Sequence, residues 1–136
     1  MKKHSKQLLA FALFGTLIGT NIFAYSDEDR IKDMQQMEKA VQQMQKGFLY
    51  NNIKDIEDGA TLLKKHTSKI EPPVKNADEF TKNYAYQTTK REAKKIISLA
   101  NESVKEFKEH RPKQAMNSFT KVLKQCMTCH ARIRKW

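Results

Sequence analysis

Apolar residues recur along this chain at intervals of three and four. Met34, Met37, Val41, Met44 and Phe48 form one stripe, and Ile53, Ile56, Ala60 and Leu63 form a second. Ile96, Ile97, Ala100, Val104 and Phe107 make a third, and Ala115, Phe119, Val122, Cys126, Cys129 and Ile133 a fourth. Such spacing gathers apolar side chains on one face of an α-helix and leaves the other face to water. The residues between the stripes read as helix ends. Ser26 followed by Asp27, Glu28 and Asp29 is an N-cap with an acidic first turn. Gly47 and Tyr50-Asn51-Asn52 mark a turn, and Pro72-Pro73 stops the second helix. Asn76 or Asp78 caps a third helix, whose first part, Phe80 to Lys95, is so polar that only its second half shows a clear apolar side. Glu109-His110-Arg111-Pro112 breaks the chain again, with proline where a fourth helix can start.

Four amphipathic helices with short connections and no internal repeat predict an all-α fold, an antiparallel up-and-down four-helix bundle. Composition supports this. The 136 residues hold one ordinary domain, and Gly 4 with Pro 3 is too little turn material for an all-β protein. Hydrophobic residues at 39% and charged ones at 30% exclude a membrane channel and a disordered tail.

The N-terminus departs from the helical pattern. Lys2, Lys3 and Lys6 precede a mostly apolar run from Leu8 to Ala24, and the first acidic residue is Asp27. That order of basic start and apolar middle predicts a secretory signal peptide over 1–24, cut between Ala24 and Tyr25, with the domain in 25–136. The run carries Gly15, Gly19 and Asn21 and is short for a spanning helix, so cleavage is expected to leave no membrane span. Losing three lysines takes the net charge from +11 to +8, so the exported product stays basic.

Export decides how the two cysteines are read. Cys126 and Cys129 are followed directly by His130, giving Cys-Met-Thr-Cys-His, and CxxCH in an exported protein is the attachment signature of haem c. The two thiols add across the two vinyl groups as thioethers, which brings the histidine under the iron as proximal ligand. Other readings of the pair are weaker. A thioredoxin-like site needs a βαβ setting, a zinc site needs two more ligands, and a disulfide across one helical turn constrains almost nothing. On the fourth stripe, the motif faces the core, so the bundle is expected to carry one covalent haem on its C-terminal helix.

A CxxCH near the C-terminus, on the last of four helices, resembles the cytochrome c′ family, the class II c-type cytochromes. In that family an arginine commonly follows the proximal histidine by four places, as Arg134 does here, and an arginine on the first helix precedes the distal residue by four, as Arg30 precedes Met34. Where the family often has an aromatic residue three after the histidine, this chain has Ile133. The resemblance implies Met34 as distal iron ligand, with Arg30 and Arg134 on the haem propionates. Met37, Met44 and His66 are the other candidates for the distal position, and these methionines also serve as plain core residues. With methionine bound, the iron belongs to the six-coordinate, low-spin branch, whose members are electron carriers rather than enzymes. With no protein ligand it would bind nitric oxide or another small gas. Members often pair through their first two helices, so a homodimer is among the states implied. His110 and His4 are placed away from any ligand role.

Basic residues recur at Lys64-Lys65, Lys90-Arg91, Lys94-Lys95 and from Arg132 to Lys135. Export removes nucleic acid as a partner, and RNA-type aromatic interleaving is absent. Much of this charge is ordinary solvated helix face. The cluster of Arg132, Arg134 and Lys135 beside the haem motif is the expected docking face for acidic redox partner proteins. The reading of the whole sequence is an exported, periplasmic monohaem c-type cytochrome that carries single electrons.

Overall fold

The structure, a computed structural model, describes residues 25–134. Residues 1–24, where the sequence predicts a signal peptide, the Arg134 side chain and Lys135 lie outside what it describes. Within that range the chain is all helical, with α1 at Asp27–Leu49, α2 at Ile53–Thr67, α3 at Glu79–Lys108 and α4 at Pro112–Arg134. The expected antiparallel four-helix bundle is the observed fold. The α1–α2 and α3–α4 hairpins pack tightly, α2 packs on α3, and α1 and α4 make no comparable approach.

Each helix end has a local cause. Ser26 and Asp29 form a reciprocal capping box at the start of α1, the Ser26 hydroxyl accepting from the Asp29 N–H at 3.1 Å. Asn52 caps α2 and Asp78, of the two candidates, caps α3. Asn51 and His110, at φ 52° and 57°, hold the left-handed turn that closes α1 and α3. In both places the next N–H reaches back five residues, Asn52 to the Gly47 carbonyl at 2.8 Å and Arg111 to that of Glu106 at 2.9 Å. Pro112 opens α4, where its missing N–H costs nothing.

Gly47 is not the turn its position in sequence implies. It lies inside α1, buried against Ile56, and an added Cβ there would come 2.6 Å from Ile56 Cγ1. Gly59 on α2 meets α1 further along: a Cβ would lie 2.8 Å from both the Ala40 carbonyl oxygen and the Met44 amide nitrogen. These two glycines let the α1 and α2 backbones come together. The same closeness fixes Met44 and Ile56 as fully buried centres of the core, joined by Ala40, Leu63, Ile96 and Val122.

The two ends of the bundle differ. At the α1–α2 turn, the Phe48 ring lies 5.6 Å from Phe107, edge to face, and 5.3 Å from Phe119, closing that end with aromatic packing. Ser118 donates to Glu106 Oε2 at 2.8 Å and Ser103 to the Ala115 carbonyl at 2.8 Å, tying α3 to α4 there. The opposite end, near the C-terminus of α4, holds a cavity. The first half of α3 is helical in spite of its polarity because Thr88, Thr89, Glu92 and Ala93 face inward, with Phe80 and Tyr84 outside.

Gly59→Ala should destabilise the fold by about 1–3 kcal/mol, since the clash is with backbone that cannot rotate away. Urea midpoints of the variant and the parent measure it, and equal midpoints would mean that the α1–α2 approach can open without loss.

Candidate functional site

The cavity measures about 420 Å³, within the range of small-molecule sites, and all four helices wall it. Met34, Met37 and Val41 line it from α1, Leu63 and Thr67 from α2, and Thr89, Ala93 and Ile96 from α3. Leu123, Cys126, Cys129 and His130 complete it from α4. Its surface is overwhelmingly apolar. An adjoining pocket of about 220 Å³ shares Met34, Thr89, Cys129 and His130 and adds Arg30 and Asp27 at its rim.

Four of the sequence-predicted residues, Met34, Cys126, Cys129 and His130, are thereby brought together. Residues 126, 129 and 130 fall on one face of α4 because 3 and 4 residues are each close to one helical turn. Met34 meets them from the facing helix α1, about a hundred residues earlier in the chain. Arg30 sits one turn before Met34 at the rim of the adjoining pocket, largely buried and paired with Asp27. That guanidinium holds the Asp27 carboxyl below the ordinary range. Met37 also lines the cavity, whereas Met44 belongs to the closed core.

His66 stands apart from the cavity. Its Nδ1 lies 2.6 Å from Asp33 Oδ1, and the Tyr25 hydroxyl donates to Asp33 Oδ2 at 2.9 Å. Burial, reinforced by Asp33, raises the Tyr25 phenol far above its ordinary value. Asp33 is buried on α1, so this triad pins Tyr25 and α2 to α1 with a polar group where the helical stripe alone predicts none. His110 is exposed in the α3–α4 turn.

The two thiols are not poised for redox or nucleophilic work. Burial, and then the neighbouring Cys129, push the Cys126 thiol up to about 11. Burial followed by the charge of Glu92 raises Cys129 as well. Reactive CxxC pairs show the opposite shift. Among the described residues, no group of three or more His, Cys, Asp and Glu side chains is gathered as a metal cage, so a zinc reading of the pair gains no partners.

Behind Cys129 lies a residue the sequence pattern did not single out. Glu92 is completely buried on α3 and receives Arg132 Nη1 at 2.8 Å and Arg91 Nε at 3.1 Å, with Gln125 on its other oxygen. Lys95 Nζ is 3.6 Å away. Burial on its own would raise this carboxyl, but the hydrogen bond from Arg91 and the charges of Lys95 and Arg132 outweigh it and hold it below the ordinary value. Arg132, expected on a free docking face, is therefore tied to α3 while its side chain remains about half exposed, at 49%. A clue was present in Lys90-Arg91 and Lys94-Lys95 flanking one acidic residue, but only the α3–α4 contact shows which face it takes.

Since the folded carboxyl is more acidic than the unfolded one, its contribution is present above the unfolded pKa and is lost as pH falls through the folded value. Glu92→Gln should lower stability at pH 7 by about 2 kcal/mol and flatten the loss of stability below roughly pH 4.5. Urea midpoints for both proteins at pH 7 and pH 4 test this, and parallel acid limbs would assign the effect to other carboxylates.

Similarity contributes no relative to this picture: no protein-family model matches the chain, and no curated protein or solved structure is significantly similar to it.

Proposed function

We propose that this protein is a monohaem c-type cytochrome of the cytochrome c′ kind, exported to the periplasm, that carries single electrons between redox partners. The carrying observation is that Cys126, Cys129 and His130 from α4 and Met34 from α1 line one apolar cavity from facing walls. Cys126 and Cys129 would hold haem c as thioethers, His130 would be its proximal ligand and Met34 its distal ligand. Arg30 stands where a guanidinium can pair with a propionate at the rim, and Arg134 is carried over from the resemblance for the same role.

The residues present suit such a group. A planar macrocycle needs apolar walls, and Val41, Leu63, Ala93, Ile96 and Leu123 supply them. The bound group supplies one-electron chemistry, and the thioether of Met34 would favour the ferrous state and keep ligation constant as the electron moves. The protein's contribution would be to hold His130 and Met34 on stiff helices, which would keep reorganisation small. An apolar occupant would cover the walls of this space and so add to the core.

No helix among the described residues is long and apolar enough to cross a membrane. Lys94, Lys95, Lys124 and Arg132 expose charge on α3 and α4 around the attachment motif, which suits acidic partner proteins.

Co-expression with a haem c maturation system should give haem that survives denaturing electrophoresis in the parent and is lost in Cys126→Ala/Cys129→Ala. The ferrous spectrum should be low-spin and indifferent to carbon monoxide. Met34→Ala should turn it high-spin and responsive to the gas, whereas an unchanged spectrum removes Met34 as ligand and a high-spin parent favours a gas-binding protein. Electron transfer to an acidic partner should slow as ionic strength rises, and a salt-independent rate would reject the basic docking face.

A further inference from the structure

A second concavity lies outside the cavity described above. It measures about 480 Å³, within the range of small-molecule sites, and shares no lining residue with the large cavity. The 68–78 connection supplies Pro72, Pro73 and Val74, the first half of α3 supplies Phe80 and Tyr84, and α4 adds Ile133. Phe80 and Tyr84 stand four residues apart and so share a face of α3, yet they are 82% and 66% exposed. Tyr86, on another face, has Lys90 Nζ 5.2 Å from its ring centre, whereas among the described residues no ring or cation is seated on Phe80 or Tyr84. Two large rings left in water beside apolar neighbours mark a surface that gains by being covered.

Charge selects what covers it. Lys75 and Arg132 are the charged residues of its lining, which includes no acidic residue among those described. Arg132 gives one N–H to Glu92, but Arg91 and Lys95 are set against the same buried carboxylate, so three cations share one anion and the group as a whole is positive. About half of the Arg132 side chain stays in solvent, with N–H donors left over. Lys75 reaches only Asp27, at 3.6 Å, and is 84% exposed. Asp78, between the lining residues Ala77 and Phe80, is engaged in capping α3, its oxygens accepting from the Thr81 N–H at 2.9 Å and the Thr81 hydroxyl at 2.8 Å. We propose that this concavity binds a small planar organic anion, an aromatic carboxylate in class, with its ring against Phe80 and Tyr84. Arg132 meets the carboxylate, and Lys75 adds positive charge to the same lining. The concavity adjoins the 220 Å³ pocket at Pro73 and Ile133, but binding there does not depend on haem and stands apart from the cytochrome reading.

Naphthoate, its neutral amide and cyclohexanecarboxylate are titrated into the purified protein by calorimetry, and amide NMR spectra locate each probe. Naphthoate should saturate one site and bind roughly tenfold more tightly than either the amide or the non-aromatic acid. It should move the amide signals of Thr81, Ala85 and Ile133, which line the concavity, and leave those of Val41 and Leu123, which line the large cavity. Phe80→Ala/Tyr84→Ala changes only exposed side chains, so it should weaken naphthoate about tenfold with an unchanged circular dichroism spectrum. Lys75→Gln should reduce the preference for the acid while leaving the amide's affinity as it was. Equal affinity for naphthoate and its amide overturns the anion assignment, and shifts centred on Val41 and Leu123 overturn the site. No saturation up to about 10 mM overturns it too, as does binding of an acidic peptide alone, which would make this a protein-docking surface.

Discussion

The feature on which the rest of the structure depends is the separation between α1 and α4. Three of the four seams around the bundle are closed by packed side chains, and the fourth is held apart over a cavity walled by Met34, Met37 and Val41 on one side and Leu123, Cys126 and Cys129 on the other. Helices are not kept apart by their own apolar faces, which gain by closing. Here the spacing is imposed from outside the seam. Gly47 and Gly59 lock α1 against α2, and the phenylalanine cluster of Phe48, Phe107 and Phe119 joins the two hairpins at one end. Two hairpins fixed at that end leave a wedge of space at the other, where Cys126, Cys129 and His130 lie.

Polar groups are arranged around that wedge according to what each can pair with inside the protein. Asp33 has His66 and Tyr25, Glu92 has Arg91, Gln125 and Arg132, and Glu106 has Ser118. All three carboxylates are buried and all three join different helices or segments, so they fix how the helices are rotated as well as how they pack. Thr67 and Thr89 do not follow this pattern: both are buried and neither hydroxyl has a hydrogen-bond partner. The same low-dielectric setting, with the charge of Glu92 nearby, keeps the two thiols protonated.

Much of the architecture was legible before any coordinates. Helical periodicity, the Ser26 capping box, Asp78 and the Pro72-Pro73 and Pro112 breaks are local signals, decided within a turn or two of backbone, and they locate all four helices. So is the Cys126-Cys129-His130 motif, because spacing along one helix fixes which side chains share a face. Gly47 was misleading for the same local reason: glycine signals a turn unless a neighbouring helix requires the absent side chain, and Ile56 is that neighbour.

The polar interior was not legible. Asp33, Glu92, Thr67 and Thr89 carry residue types that sequence reasoning assigns to the surface, and each is buried by a contact with another helix. From the sequence alone come the four helices, their apolar faces and the chemistry borne by the last one. Only the tertiary structure decides that Met34 comes to the same cavity as His130, that Arg132 pairs with Glu92, and that the Thr67 and Thr89 hydroxyls are buried without partners. The reason is physical: a helix records its own amphipathicity within a few residues, whereas its rotation and distance from its neighbours depend on side chains from the whole bundle packing at once.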